Sequence, residues 1–153
     1  MDKKEIHARL RSSLEFKALW NYFIITAVIL SLFALFTAVR DSGTGWGISV
    51  TVYGLMLMPN LIFCTIRTVN IFRRLDDYFI CRSVLRQPHG GLIPDTIYFT
   101  AMVEDPAGGR KYGVDTHAIF FSRGICQPLM ETYANTTVTL AVNRETGMVV
   151  VIG

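Results

Sequence analysis

Charge is scarce in this sequence. Asp, Glu, Lys and Arg together supply 18% of its 153 residues, whereas hydrophobic residues supply 51%. Soluble domains usually carry about 25% charged residues, so this composition argues against an ordinary soluble domain and favours a membrane protein. Cysteine is scarce as well. The chain has three, without a Cys-x-x-Cys spacing, which argues against a disulfide framework and favours reduced thiols.

Two long stretches lack ionisable residues altogether. Leu19–Val39 and Trp46–Ile66 each run for 21 residues without Asp, Glu, Lys, Arg or His. As helices they would be roughly 31 Å long, about the hydrocarbon thickness of a bilayer. The pattern therefore predicts two transmembrane helices. We expect the first to be retained, because its apolar run exceeds the roughly 7–15 residues of a signal peptide and a polar segment precedes it.

Positive charge is nearly absent from the loop between the two stretches, which holds only Arg40. Basic residues lie on the other side of each span: Lys3, Lys4, Arg9, Arg11 and Lys17 before the first, and Arg67, Arg73, Arg74, Arg82 and Arg86 after the second. Since Lys and Arg favour the cytoplasmic side, we expect a multi-pass plasma-membrane protein with both termini in the cytoplasm. Arg67, Arg73 and Arg74 are the candidates for topology determinants or contacts to lipid headgroups.

The pattern divides the chain into four predicted regions. They are a cytoplasmic amphipathic tail (1–18), a transmembrane helical hairpin (19–66), a juxtamembrane helix (67–77) and a cytoplasmic β domain (78–153). In the tail, Ile6, Leu10 and Leu14 recur every fourth residue, so a helix there would have one apolar face. We interpret that face as lying on the inner leaflet.

Period-two alternation and β-branched residues predict five strands in the β domain. The predicted strands are Tyr78–Leu85, Ile97–Val103, Lys111–His117, Thr137–Val142 and Met148–Ile152. The connection before the fourth strand can hold a short helix at Pro128–Tyr133. Three strands, a connection and two strands is the element order of an OB-type barrel. The predicted fold class is membrane α + β: a two-helix transmembrane hairpin followed by a small five-stranded antiparallel β-barrel-like domain, OB-like or SH3-like, with a plain meander as the remaining option.

The segment VEDPAGGRKYGVDTH, residues 103–117, combines acids, a turn and a histidine. With residues 106–109 as a hairpin loop, facing residues have numbers that sum to 215. Glu104 then meets Lys111 and Asp105 meets Arg110, so each acid has a basic cross-strand partner. Such pairs contribute roughly 0.2–1 kcal/mol each. The charges are thus explained by a hairpin without invoking an active site.

The same register gathers four polar side chains on one strand face: Tyr98, Thr100, Asp115 and His117. A metal would need three or four ligands, and the other histidines lie in the tail and in a predicted Pro-Gly turn at His89. Ser122 and Cys126 follow in a loop without a nucleophile motif. We predict no catalytic residue, metal or cofactor, and interpret the face as a solvated surface that can meet a protein partner.

A deficit of positive charge also counts against nucleic acid as a partner. From Leu92 onward the chain has four basic residues (Arg110, Lys111, Arg123, Arg144) against six acidic ones. A net-acidic domain is a poor binder of polyanions. We expect no nucleic acid as a partner and identify no small-molecule substrate; nucleic-acid binding through the barrel is the second alternative.

The hairpin segments YFTAMVED, GRKYGV and NRETGMVVV follow a two-helix anchor. In this domain order and hairpin style the chain resembles uncharacterised bacterial two-helix membrane proteins with a cytoplasmic small β-barrel domain of OB-like type. Membrane-anchored OB-barrel proteins are similar in plan, and in those families the barrel serves as a protein-interaction module. The resemblance carries over no catalytic residue.

The expected function is therefore a membrane-anchored, non-enzymatic interaction module that presents its barrel to a protein partner. That partner is unknown, and a second copy of the chain is one option. Membrane lipid is the other expected partner. The alternative is an accessory subunit of a transporter or envelope complex, and the lack of ionisable residues in the spans argues against conduction by this chain itself.

Overall fold

The chain forms two compact units, one helical and one built around a sheet. The computed structural model describes residues 3–40, 45–90, 96–104, 106, 108–109, 111–117, 119–120 and 131–153. The first unit is Trp20–Asn70, which we name the helical unit. The second comprises Met1–Leu19 and Ile71–Gly153, which we name the β unit.

The structure gives the bounds of three α-helices: α1 Lys3–Arg11, α2 Leu14–Arg40 and α3 Gly45–Phe72. The two predicted apolar stretches lie inside α2 and α3, and both helices are long and apolar enough to cross a membrane. Their apolar side chains are exposed, up to 76% at Val39 and 67% at Ile48. A core helix of a soluble protein would bury such side chains.

A curled antiparallel sheet forms the β unit. Within the described residues it has six strands: β1 Tyr78–Gly90, β2 Thr96–Glu104, β3 Lys111–Asp115, β4 Ile119–Phe120, β5 Thr137–Asn143 and β6 Val149–Val151. The order across the sheet is β3-β2-β1-β5-β6, and the short β4, which was not predicted, pairs with β2. The predicted barrel-like layout is thus confirmed as a half-barrel. Of the predicted helix at Pro128–Tyr133, residues 131–133 are helical and the others lie outside the described residues.

β1 is longer than predicted because it serves both halves of the sheet. Its first part pairs with β5 and its second part with β2. The register shifts between Leu85 and Pro88, which marks a β-bulge. A bulge bends a strand and accommodates proline, which has no N–H for the ladder. The prediction of a turn at His89 is therefore wrong, because Pro88, His89 and Gly90 continue the strand.

The β2–β3 hairpin has the predicted register. Its facing pairs are Thr100–Asp115, Ala101–Val114, Met102–Gly113, Val103–Tyr112 and Glu104–Lys111. Lys111 Nζ lies 3.4 Å from Glu104 Oε2, so the predicted charge pair forms. The predicted pair of Asp105 with Arg110 lies outside the described residues.

Alternation along the strands separates two apolar clusters, one on each face of the sheet. The inner cluster comprises Ala18, Phe79, Leu85, Ile97, Phe99, Ala101, Val103, Ile119, Val138, Leu140, Val142, Val149 and Val151. The outer cluster comprises Ile6, Leu10, Ile71, Tyr78, Ala141 and Val150. Since successive side chains of a strand point to opposite faces, β5 and β6 are buried on both sides.

The tail forms the predicted helix α1, but its apolar face contacts the sheet. Ile6 and Leu10 are buried in the outer cluster with Tyr78 and Val150. Burying a Leu or Ile side chain contributes roughly 1.5–3 kcal/mol, which favours this packing over exposure to water. The interpretation that these two residues lie on the inner leaflet is thereby corrected, because protein covers them.

The chain passes from helix to strand where the sequence predicted it, near Asp76 and Asp77. α3 ends at Phe72, a 3-10 turn covers Leu75–Asp77, and β1 follows. Arg74, just before the turn, has a φ of 55°, in the left-handed region that costs a residue with a side chain about 1–2 kcal/mol. Contacts to this turn must offset that strain.

Asn143, at the end of β5, supplies such contacts. Its Nδ2 donates to the carbonyl oxygens of Arg73 and Arg74 at 3.4 and 3.3 Å. Its Oδ1 accepts the backbone N–H groups of Glu145 and Thr146 at 3.1 and 3.0 Å. One buried amide thus joins the turn after α3 to the turn between β5 and β6.

Candidate interaction site on the β unit

Four side chains meet on the exposed face of β1, β2 and β3: His89, Tyr98, Thr100 and Asp115. We name them the strand-face cluster. Thr100 Oγ1 donates to Asp115 Oδ1 at 2.9 Å, and His89 Nε2 lies 3.6 Å from Asp115 Oδ2. The rings of His89 and Tyr98 stack with their centroids 5.7 Å apart. Asp115 is the centre of the cluster, since it contacts side chains from two other strands.

Strand pairing explains why these residues meet. His89 faces Tyr98 across β1 and β2, and Thr100 faces Asp115 across β2 and β3. The bulge is essential to the first pair. Without it, the register of Leu85 with Ala101 would place His89 opposite Ile97, whose side chain belongs to the core. His89 was not predicted as a member of this site, because the letters Pro-His-Gly are typical of a turn.

Three of the four predicted surface residues, Tyr98, Thr100 and Asp115, belong to the cluster. The fourth, His117, has a structural contact instead: its backbone N–H donates to the carbonyl oxygen of Val149 at 2.6 Å. Val149 lies in β6, at the opposite end of the strand order from β3. This hydrogen bond therefore helps to curl the sheet into a half-barrel.

The cluster is open to solvent. The Thr100 hydroxyl donates to a carboxylate, and about half of the side chains of His89 and Asp115 is exposed to solvent. Within the described parts of the chain, no three His, Cys, Asp or Glu side chains are grouped as a metal would require.

The thiols and hydroxyls considered as nucleophiles give no site in the described residues. Burial raises the pKa of the Cys81 thiol above its ordinary value, so the reactive thiolate is disfavoured. Ser122 and Cys126 lie outside the described residues. An aromatic ring, a carboxylate and a hydroxyl on an open strand face instead suit hydrogen bonding to another protein surface.

The three arginines singled out in the sequence have different surroundings. In the helical unit, the Arg67 guanidinium lies 5.4 Å from the centroid of the Phe63 ring. In the β unit, Arg74 forms an ion pair with Glu145, and the Arg73 side chain is exposed. Their role in topology or headgroup contact stays a prediction.

Comparison of the chain with protein-family models, curated proteins and solved structures finds no match. Function is therefore inferred from two features of the units: the exposed apolar surface of the helical unit, and the open strand face of the β unit.

Proposed function

We propose that this chain is a membrane-anchored, non-enzymatic interaction module, in which α2 and α3 cross the plasma membrane and the β unit meets a protein partner in the cytoplasm. The exposure of the helical unit carries the proposal. Large apolar side chains are exposed along both helices: Leu32, Phe33, Leu35, Phe36, Val39, Ile48, Leu55, Met56, Met58 and Ile62. An apolar surface of this extent is unfavourable in water and favourable in lipid.

The arrangement of basic residues supports a topology with both termini in the cytoplasm, since Lys and Arg are concentrated before α2 and after α3. The β unit has its own apolar clusters on both faces of the sheet, as expected of a body that folds beside a membrane. We expect the half-barrel to be of OB-like or SH3-like type and partly open, as OB-folds are.

Anchoring and topology are tested on membranes from cells that express the full chain. The protein should remain in the membrane pellet after alkaline carbonate, and tags at both termini should be digested only when protease reaches the cytoplasmic side. Recovery in the carbonate supernatant would overturn the anchor. A terminus digested only from the outside would overturn the topology.

The partner surface is tested with a photoreactive amino acid in place of Thr100, in the strand-face cluster. The matched control places it at Arg82, which is exposed on β1. We expect irradiation of intact cells to give a defined protein adduct from the first position and none from the second. Equal labelling at both positions, or none at Thr100, would refute a partner surface there.

An accessory subunit of a transporter or envelope complex is the second candidate, and a groove in the helical unit favours it. The groove is lined by apolar or small residues: Phe23, Ala27, Thr51, Gly54, Leu55, Leu57, Met58 and Leu61. A side chain added at Gly54 would meet no atom within 4 Å, so space for an approaching helix exists. Gly54→Leu would then dissociate a native-gel complex that substitutions in the strand-face cluster leave intact.

A further inference from the structure

β3 lies at the end of the strand order, so one of its edges faces away from the sheet. The direction of its backbone groups follows from one hydrogen bond. Thr116 N–H donates to Phe99 O of β2 at 2.8 Å, so even-numbered residues of this segment point their N–H and C=O groups towards β2. Odd-numbered residues point theirs away. His117 obeys this rule, since its N–H is directed to Val149 O of β6.

Three residues of β3 remain with outward backbone groups: Lys111, Gly113 and Asp115. All three are exposed, and the described residues supply no backbone hydrogen-bond partner to their outward edge. A row of N–H and C=O groups of this kind is a template for another strand. The sequence of the edge indicates which strand fits.

The sequence of β3, KYGVD, is complementary to itself in the antiparallel direction. With Gly113 opposite Gly113 of a second copy, Lys111 faces Asp115 and Tyr112 faces Val114. Opposite charges then meet at both ends and apolar side chains meet between them. The directions of the backbone groups also fit this pairing. Gly113, the central residue, points its N–H and C=O outward, so its two copies can form a hydrogen-bonded pair.

We propose that β3 is a self-recognition edge: two copies of this chain pair through their β3 strands, antiparallel and centred on Gly113. The contact is isologous, so each copy contributes the same residues and the pair closes as a dimer. It rests on the proposed function, since it names the partner of that interaction module as a second copy.

The exposure of Tyr112 supports the pairing. Tyr112 lies on the face of β3 that is turned to the core, as Val114 does, yet the residue is 36% exposed. In the dimer its ring covers Val114 of the other copy. On the other face, Lys111 pairs with Glu104 of its own copy and faces Asp115 of the second copy. That Asp115 belongs to the second copy's strand-face cluster, so a row of polar side chains crosses the contact.

Five residues per copy make a small interface, and the membrane compensates for its size. Anchoring both copies in one bilayer raises their effective concentration, so a contact too weak for dilute solution can be occupied. The strand-face cluster then lies beside the dimer seam, since Asp115 belongs to both.

Disulfide cross-linking in carbonate-washed membranes tests both the contact and its register. The full chain is used with Cys64, Cys81 and Cys126 replaced by serine, and one new cysteine is introduced. Gly113→Cys should form a dimer on oxidation, because the α-carbons of a hydrogen-bonded antiparallel pair lie about 5.5 Å apart. Lys111→Cys alone should not, because its two copies would be about 14 Å apart along the strand.

Lys111→Cys and Asp115→Cys, carried on copies with tags of different size, should cross-link to each other when co-expressed. We expect this mixed product to exceed either self-linked product at least fivefold. Equal products at all positions, or no Gly113→Cys dimer, would overturn the pairing. Loss of the protein to the carbonate wash would instead overturn the membrane anchor, and the pattern of products in that supernatant would still decide the pairing.

Two substitutions at Gly113 separate the edge contact from a general fold defect. Gly113→Pro removes an N–H that points away from β2, so the hairpin is kept while the dimer loses donors at its centre. It should lower the mixed 111–115 product at least fivefold. Gly113→Ala keeps the N–H, and its added carbon would lie 3.6 Å from Met102 Sδ, an ordinary contact, so the product should be unchanged. Equal yields from both variants would contradict the proposal.

Discussion

Glu15 accepts the backbone N–H of Val151 through its carboxyl group, with Oε1 at 2.9 Å and Oε2 at 2.8 Å. The two residues lie 136 positions apart, and Glu15 is 1% exposed. Ile152 N–H donates to Thr139 O of β5, so the N–H of Val151 is directed away from β5. The side chain at the start of α2 thus supplies the acceptor that the outer edge of β6 needs, since a buried unpaired N–H would cost about 1–3 kcal/mol.

This burial predicts that the β unit loses stability as the pH rises. Desolvation raises the pKa of Glu15 from 4.5 to about 8, against the opposing effect of its backbone hydrogen bonds. Between these values the folded chain binds a proton that the unfolded chain lacks, so the free energy of unfolding falls with increasing pH. We expect the melting temperature of the full chain in detergent, followed by circular dichroism, to be lower at pH 9 than at pH 5.

Glu15→Gln isolates this effect from the other titrating groups. Glutamine resembles the protonated carboxyl in shape and still offers an acceptor to Val151. At pH 5 the variant should match the parent, and at pH 9 it should be more stable, by the order of a few kcal/mol that the pKa change implies. Burial raises the pKa of Tyr78 to about 12, so this neighbour titrates outside the range. Parallel pH profiles for the two proteins would refute the assignment.

Leu10→Ala tests whether α1 belongs to the β unit. Leu10 is fully buried in the outer cluster, so truncation should destabilise the sheet by about 2–5 kcal/mol. Hydrogen exchange, measured by mass spectrometry on β5 peptides, should become at least tenfold faster. Arg11→Ala, at an exposed position of the same helix, is the control and should leave exchange unchanged. If Leu10 lay on lipid instead, exchange in β5 would not respond.

Phe99→Ala and Met102→Ala test the two faces of β2. Phe99 is 1% exposed in the inner cluster, whereas Met102 points to solvent. We expect a loss of roughly 3–5 kcal/mol for the first substitution and less than about 0.5 kcal/mol for the second. Chemical unfolding of the full chain in detergent measures both. A larger loss for Met102→Ala than for Phe99→Ala would mean that the strand is turned by one residue.

The β2–β3 hairpin was predictable because its signals are local. Alternation predicted the strands, and a hairpin loop at residues 106–109 set one register, in which Glu104 faces Lys111. The limits of β1 were not predictable in the same way. Pro88 and Gly90 resemble a turn in isolation, and only pairing with β2 shows that a bulge accommodates them. His89 was missed for this reason, and with it one member of the strand-face cluster.

Contacts between distant segments leave weaker traces in a sequence. Glu15 is one acid among polar tail residues, and its acceptor role depends on a backbone group of the last strand. The apolar face of α1 was recognised, but periodicity alone cannot distinguish a lipid surface from a sheet. The β3 edge was predictable only in part. The sequence predicted the strand, but only the observed hydrogen bond of Thr116 shows which of its residues point their backbone groups outward.

Asn143→Ala and Asn143→Asp test the junction between α3 and the β5–β6 turn. Asn143 is 1% exposed, and its amide serves two backbone carbonyls and two backbone N–H groups. Alanine removes all four contacts, so we expect a loss of at least 2 kcal/mol, on the order of the cost of unpaired buried groups.

Aspartate keeps the acceptor for Glu145 and Thr146 but turns a carboxyl oxygen towards the carbonyls of Arg73 and Arg74. It should therefore be destabilising near neutral pH and recover at acidic pH, when protonation restores a donor. Thermal unfolding of both variants at pH 4.5 and 7.5 measures this difference. If the aspartate variant shows no such recovery relative to alanine, the amide does not hold the turn in the way that its hydrogen bonds indicate.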